Sequence, residues 1–163
     1  MFKVVIDLSD LKRIKEALSK AKPTRSDLKK TGDAMVRKMK SQIAVGLSPI
    51  AGKGRFPAYK HAGVKGKYPQ NVQKRFPAKK ARPVNLNLSG QQLKSLESRA
   101  SSSGVTIGYF NGLAANKEQG HRDGVNKQPK RPTIPEGSEN FNESINDVAE
   151  TILANVIEKK IKV

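Results

Sequence analysis

The sequence predicts an α+β fold, in which a small sheet of about three or four short strands is packed by helices. Short segments alternate apolar and polar residues, as strands do, and longer segments repeat apolar residues at helical spacing. A basic Gly- and Pro-rich stretch at residues 48–82 interrupts both patterns. The length of 163 residues suits one domain. We therefore expect a single domain over residues 1–163, with residues 48–82 as an extended loop or arm within it.

The N-terminal part predicts one strand followed by a helix. Phe2, Val4 and Ile6 alternate with their neighbours along a short strand. The helix that follows is expected to end at Lys22-Pro23, because the residue before a proline disfavours helical backbone. Its apolar face consists of Leu11, Ile14 and Leu18.

The second helix has a start and a stop that the sequence indicates. Thr24 and Asp27 resemble a capping box, with Asp in place of the usual Glu or Gln. Gly46 and Pro49 are expected to close the helix. Its predicted buried stripe consists of Leu28, Met35, Val36, Met39 and Ile43.

The second half predicts three further strands. Val84–Leu88 and Val105–Tyr109 each alternate apolar with polar or small residues. Pro132–Pro135 can form only a short edge strand, because its two prolines lack N–H donors. A short helix between the first two of these strands is predicted from the capping box and apolar pair of Ser89, Gln92, Leu93 and Leu96.

Two more helices are predicted near the C-terminus. Asn111 can cap a helix that reaches Gln119, with Gly120 as its stop. Ser138 can cap a long C-terminal helix. The apolar stripe of that last helix consists of Phe141, Ile145, Val148, Ile152 and Val156.

The basic segment, residues 48–82, is the most informative stretch for function. Between Lys53 and Arg82 it has ten basic residues and no acidic residue. Cations neutralise phosphates and aromatic rings stack on exposed bases, so nucleic acid is one candidate partner. An acidic protein surface that orders the segment on assembly is the other. The interleaved aromatic residues are Phe56, Tyr59, Tyr68 and Phe76. The candidate contact residues are Lys53, Arg55, Lys60, Lys65, Lys67, Lys74, Arg75, Lys79, Lys80 and Arg82.

No set of residues in the sequence predicts catalysis. The chain has no Cys, which excludes a disulfide scaffold, a cysteine nucleophile and thiolate metal ligands. The only histidines, His61 and His121, lie in predicted loops and are interpreted as surface residues. No cluster of His, Asp or Glu has metal-ligand spacing, and no phosphate-binding Gly loop occurs. We therefore expect no enzyme activity, no catalytic residue, no bound metal and no cofactor.

The charge distribution favours a polyanionic partner. The formal net charge is +18, and between Leu28 and Leu96 Asp33 is the only acidic residue. No apolar run approaches the roughly 18 residues of a membrane span. Met1–Asp10 lacks the features of a signal peptide. We therefore expect a chain that is made and used without secretion and without membrane contact.

Four sequence blocks occur in a fixed order in the second half. They are Leu-Ser-Gly-Gln-Gln-Leu-Lys-Ser-Leu at Leu88–Leu96, Val-Thr-Ile-Gly at Val105–Gly108, Ala114–Gly120 ending in Glu-Gln-Gly, and Pro-Lys-Arg-Pro-Thr-Ile-Pro at Pro129–Pro135. Together they resemble the tail-completion, or virion morphogenesis, proteins of tailed bacteriophages over about residues 83–163. The sequence departs from that pattern by one extra residue before Leu93, and by Lys117 where the family often has His or an aromatic residue.

The resemblance implies a non-enzymatic structural subunit of the phage head–tail junction, in a neck or tail-completion/terminator ring that joins the capsid or portal side to the tail. It implies a closed ring of about six or twelve subunits. The expected neighbours are portal, adaptor or tail-tube proteins, and the expected location is the virion after assembly in the host bacterial cytoplasm. The basic segment would face genomic DNA in the channel or clamp the adjoining ring, becoming ordered in the assembled particle. Arg131 is expected to be a structural hydrogen-bonding anchor.

A ribosomal or other RNA-binding protein is the alternative interpretation. The size, the charge and a basic arm all suit it. The concentration of charge in one segment argues for the connector instead, because a protein embedded in RNA usually spreads its positive charge more widely.

Overall fold

The computed structural model describes Glu16 and residues 19–61, 63–80, 82–86, 90–124 and 128–161. These residues form a mixed α+β fold with a two-stranded antiparallel sheet and a long C-terminal helix, which confirms the predicted class. The predicted N-terminal strand and the apolar face of the first helix lie outside the described residues. The elements, in chain order, are α1 (Arg25–Ala44), α2 (Gln70–Gln73), α3 (Gln91–Lys94), β1 (Leu96–Ala100), β2 (Val105–Tyr109), α4 (Gly112–Asp123) and α5 (Glu143–Ile161).

Helix α1 begins at the predicted capping box. The Thr24 hydroxyl accepts a hydrogen bond from the Asp27 N–H at 3.2 Å, and the Asp27 carboxylate accepts one from the Thr24 N–H at 2.9 Å. The helix ends at Ala44, and Gly46 follows with φ +81°, a left-handed conformation that glycine adopts without strain. The predicted start and stop are therefore confirmed. The buried apolar residues of its core face are Ala34, Val36, Met39 and Ile43.

The sheet is a hairpin of β1 and β2, which pair along their full lengths. In the turn between them, the Ser101 hydroxyl accepts from the N–H groups of Ser103 and Gly104 at 3.2 and 3.1 Å. Strand β2 agrees with the prediction. Strand β1 corrects it, since the sequence pattern predicts Leu96 on a helix. The β1 residues have no regular apolar alternation, so pairing with β2 decides their conformation.

Among the described residues the sheet has two strands, fewer than the three or four predicted. Val84–Leu88 is irregular as far as Leu86, whose φ is +48°, and the last two residues of that predicted strand lie outside the described part. Pro132–Pro135 is irregular as well. The carboxylate of Glu118 accepts the only two N–H groups of that segment, at 2.6 and 3.0 Å, so no neighbouring strand is needed to satisfy them.

The basic segment folds back on the core, which corrects the prediction of an extended arm. The Ser48 N–H donates to the Gly54 carbonyl and the Phe56 N–H donates to the Gly46 carbonyl, each at 2.8 Å. The buried apolar residues of the segment stand singly among cations, so no periodicity in the sequence marks them. The apolar cluster that they join consists of Ile43, Phe56, Tyr59, Val84 and Leu86.

Helix α4 starts as predicted and ends later. The Asn111 side chain caps it by accepting from the Leu113 N–H at 2.9 Å. The helix continues past Gly120 to Asp123, and Gly124 follows with φ +75°. A glycine ends a helix when it adopts the left-handed conformation. Gly124 adopts it, whereas Gly120 lies within the helix.

Helix α5 begins at Glu143 rather than directly after Ser138. The Asn142 N–H donates to the Pro49 carbonyl at 2.8 Å, and the Asn142 side-chain amide donates to the Ser48 carbonyl at 3.0 Å. These bonds hold the residues before the helix against the start of the basic segment. The helix packs on α1, and its one buried side chain completes a second apolar cluster of Val36, Met39, Leu96 and Ile145.

Gly32 lies on the face of α1 that packs against the sheet. A Cβ atom at this residue would lie 2.5 Å from Val105 Cγ1 and 2.7 Å from Ser98 Cβ. We expect Gly32→Ala to lower the free energy of unfolding by about 1–3 kcal/mol, because the helix must move away from the sheet. Urea unfolding followed by circular dichroism measures the change. Gly112→Ala is the control, since nothing lies within 4 Å of its Cβ, and an equal loss in both variants would contradict the prediction.

Candidate functional site

Arg131 joins the Pro-rich segment, residues 129–135, to the basic segment. Its side chain is 2% exposed. The guanidinium Nε donates to the Pro57 carbonyl at 2.8 Å, and Nη2 donates to the Ala58 carbonyl at 2.9 Å. The Arg131 backbone N–H donates to the His121 carbonyl at 2.7 Å. These bonds confirm the prediction that Arg131 is a structural hydrogen-bonding anchor.

Glu118 holds the same segment from the side of α4. Besides the N–H groups of Thr133 and Ile134, its carboxylate accepts the Thr133 hydroxyl at 2.7 Å. The Tyr109 hydroxyl lies 3.0 Å from that Thr133 hydroxyl, so the end of β2 joins the network. Burial raises the pKa of Glu118, and the hydrogen bonds from Thr133 and Ile134 oppose that change.

Lys79 forms a buried cationic cluster with Arg131. Its ammonium donates to the Tyr59 hydroxyl and lies 4.6 Å from the centroid of the Tyr59 ring and 5.6 Å from that of Tyr68. The Arg131 guanidinium lies 4.3 Å from the Tyr59 centroid. Burial, and then the charge of Arg131, lowers the pKa of Lys79 to about 8. Within the described ranges, no carboxylate forms an ion pair with either cation.

Two adjoining cavities open beside this cluster. Their volumes are about 120 Å³ and about 440 Å³. Lys79 and Gln92 line the smaller cavity, whereas Tyr59 and Arg131 line the larger one. The residues that line both are Tyr68, Lys117 and His121.

His121 is half-buried in the shared wall, which corrects its interpretation as a surface residue. Its Nε2 lies 3.3 Å from Gln92 Oε1. The amide nitrogen of Gln92 is buried, and the Gln92 side chain also lies within reach of the Tyr109 hydroxyl. Burial, followed by the charges of Lys79, Arg131 and Lys117, lowers the pKa of His121 to about 4, so the ring is neutral at pH 7. The walls therefore combine the cations Lys79, Lys117 and Arg131 with a neutral imidazole.

The predicted contact residues divide into an exposed group and one buried member. Lys79 is 3% exposed and enclosed by aromatic rings, so it is not part of the outer surface. Lys53 forms an ion pair with Glu139 at 3.2 Å. Contact of the exposed group with nucleic acid or protein stays a prediction. That group consists of Lys53, Arg55, Lys60, Lys65, Lys67, Lys74, Arg75, Lys80 and Arg82.

The cavity residues come from separate parts of the chain, and their spacing in the sequence does not predict that they meet. Tyr59, Tyr68 and Lys79 belong to the basic segment, whereas His121 and Arg131 follow much later. The one sequence feature that could have indicated a buried cation is the set of aromatic residues interleaved with the basic residues of the segment. A ring next to a charged residue can cover that charge as well as stack on a base.

No protein-family model matches the chain, and comparisons with curated proteins and with solved structures find no match either. In the part of the chain that the structure describes, no helix is long and apolar enough to cross a membrane. Over the same residues, no three His, Cys, Asp or Glu side chains converge as a metal site would require.

Glu118→Gln tests the network that holds the Pro-rich segment. In the variant one side-chain oxygen can still accept the N–H groups of Thr133 and Ile134, but the NH₂ group faces the Thr133 hydroxyl, which must reverse its hydrogen bond, and every bond loses the help of the carboxylate charge. We expect the free energy of unfolding to fall by about 1–3 kcal/mol, measured by urea unfolding. Glu97→Gln is the control, because Glu97 is exposed and pairs with the exposed Arg99, and it should change stability by less than about 0.5 kcal/mol. A comparable loss in the control would contradict the role of Glu118.

Lys79 makes stability depend on pH. Its pKa in the folded chain is about 8, against the ordinary 10.5. Below pH 8 both folded and unfolded chains carry the charge, and its burial opposes folding fully. Between pH 8 and 10.5 the folded chain releases the proton first, so this opposition is relieved as the pH rises. We therefore expect the free energy of unfolding to rise by about 1–2 kcal/mol from pH 7.5 to pH 9.5.

Urea unfolding at these two pH values measures the effect in the wild type, in Lys79→Met and in the exposed neighbour variant Lys80→Met. The rise should disappear in Lys79→Met and persist in Lys80→Met. The other groups that face Lys79 do not titrate in this range: Arg131 stays charged, His121 stays neutral, and burial raises the pKa of Tyr59 and Tyr68. An undiminished rise in Lys79→Met would show that another group is responsible.

Proposed function

We propose that this chain is a structural subunit of the head–tail junction of a tailed bacteriophage, in a neck or tail-completion/terminator ring that joins the capsid or portal side to the tail. The observation that carries the proposal is the ordered set of four sequence blocks. Contacts between the elements that carry the blocks support it. The first leads into β1, which pairs with β2 of the second, and Glu118 of the third binds Thr133 and Ile134 of the fourth.

The expected partners are other copies of the chain and the proteins of adjoining rings. A closed ring of about six or twelve copies satisfies head-to-tail contacts without forming an open filament. Portal, adaptor or tail-tube proteins would lie above and below it. Phe110 and Leu113 flank the cap of α4 and are 37% and 75% exposed, so they offer apolar area for such a contact.

The exposed cations of the basic segment suit an acidic surface. Genomic DNA passing through the channel would present phosphates, and an adjoining ring would present carboxylates. Either partner would offset the positive charge that this segment places on one part of the molecule. Because Lys53 already pairs with Glu139, the remaining exposed cations of the segment are the stronger candidates.

The RNA-binding alternative receives less support from the aromatic residues. Stacking on single-stranded bases requires exposed ring faces. Phe56 and Tyr59 are 7% and 5% exposed and belong to an apolar cluster, and Tyr68 packs edge-on against Tyr59 with ring centroids 5.1 Å apart. Two of the four interleaved rings are therefore engaged in the core rather than presented to a base.

The location of the chain tests the proposal. A density gradient separates intact phage particles from ribosomes in a lysate of the bacterial host that produces the chain, and mass spectrometry quantifies it in each band. We expect about six or twelve copies in each intact particle. Co-migration with ribosomes, or absence from the particles, would overturn the proposal.

A triple charge-reversal variant and its matched control test whether the exposed cations of the basic segment contact a partner. The triple variant Lys60→Glu, Lys65→Glu and Lys67→Glu should lower the yield of infectious particles roughly tenfold or more, because like charges would then oppose each other at the contact. The yield is measured by plaque titre when host cells supply each variant to a phage that lacks the gene. The matched control changes Lys30, Lys94 and Lys159 to Glu, which alters the net charge equally at exposed residues elsewhere. Equal losses would indicate that only total charge matters.

A further inference from the structure

The two adjoining cavities contain positive charge that the protein itself does not neutralise. Lys79, Lys117 and Arg131 line them, and none of these cations takes part in an ion pair among the described residues. Lys79 and Arg131 are 3% and 2% exposed. Buried charge without a counter-charge opposes folding, so a cavity that keeps it is a candidate site for an anion.

Lys79 brings hydrogen-bond donors to the smaller cavity, and no carboxylate of the described residues pairs with it. The Lys79 ammonium has three N–H donors, of which one is directed to the Tyr59 hydroxyl. The missing group is therefore one that accepts several hydrogen bonds and carries negative charge.

We propose that these cavities bind a phosphate monoester, with the phosphate in the smaller cavity against Lys79 and Lys117. The organic part would occupy the larger cavity between Tyr59, Tyr68 and Pro129. This inference goes beyond the proposed function and does not depend on it.

The charge and the size of the site favour this ligand class. A phosphate monoester has a charge of about −1.5 to −2 at pH 7 and three acceptor oxygens, so it compensates several cations where a carboxylate would compensate one. The larger cavity, at about 440 Å³, is of the size that holds small organic ligands, roughly 300–1,000 Å³. Arg131 is fixed by the Pro57 and Ala58 carbonyls and supplies a constant charge. Lys117 is exposed, and its side chain can close on the ligand.

Binding is measured with AMP as the probe, and with adenosine and inorganic phosphate as comparisons, by titration calorimetry on the full chain. The two histidines provide a site-specific readout by NMR, because His121 lines both cavities and His61 lies exposed in the basic segment. AMP should shift the ring signals of His121 and leave those of His61 unchanged. Adenosine should bind at least about tenfold more weakly, since it lacks the charged group. Equal shifts at both histidines, or none at His121, would overturn the proposal.

A pair of variants separates this site from general attraction to a basic protein. Lys117→Gln should weaken AMP binding by about tenfold, because it removes one charged hydrogen-bond donor from both cavities. Lys30→Gln removes the same charge from an exposed residue of α1 and should leave binding unchanged. Lys117 is exposed, so its replacement leaves the fold intact, which circular dichroism verifies. Equal weakening in both variants would show that the attraction is not specific to the cavities.

The phosphate can come from a free nucleotide or from the end of a nucleic acid strand, and a third comparison distinguishes these sources. Two DNA oligonucleotides of one sequence, with a 5′-phosphate and with a 5′-hydroxyl, are titrated at high salt to suppress backbone contacts. Tighter binding of the phosphorylated strand together with a His121 shift would identify the strand end as the ligand. A His121 shift with AMP but with neither strand would identify a free nucleotide. No response of His121 to AMP or to either strand would exclude the site.

Discussion

The buried carboxylate of Glu118 supports a segment of chain that cannot join a sheet. Two prolines leave Pro132–Pro135 with only two N–H donors, and Glu118 accepts both of them together with the Thr133 hydroxyl. Immediately before this segment, Arg131 donates to two carbonyls of the basic segment. One short stretch is therefore bonded to α4 on one side and to residues 57–58 on the other. Removing either charged group would leave buried partners unsatisfied.

This arrangement explains how a chain with a formal net charge of +18 keeps its basic segment folded. Phe56 and Tyr59 contribute apolar area to one of the two core clusters. The rings of Tyr59 and Tyr68 lie within 6 Å of buried cations, and each such contact contributes about 0.5–2 kcal/mol. The Gly- and Pro-rich composition that predicts an extended arm thus accommodates tight turns around these rings.

Burying the cations Lys79 and Arg131, which line the cavities, lowers the stability of the folded chain, and packing alone gives no reason to keep them there. An apolar side chain of similar volume would usually stabilise a buried site at least as well as an unpaired lysine. Lys79 and Arg131 form no ion pair with a carboxylate of the described residues, so the ligand proposed above would supply the negative charge that they lack.

The sequence by itself determined those elements that depend on local interactions. The Thr24–Asp27 capping box, the Asn111 cap and the alternation of Val105–Tyr109 each involve residues a few places apart, so their pattern is visible in the chain. The tertiary structure alone decided that β1 is a strand, because its hydrogen bonds come from β2 and not from an apolar pattern of its own. It also decided that Lys79 is buried and His121 half-buried, while the other predicted contact residues of the basic segment are exposed. Burial of a charged side chain depends on which distant residues surround it, and here those residues are brought together by Glu118 and Arg131.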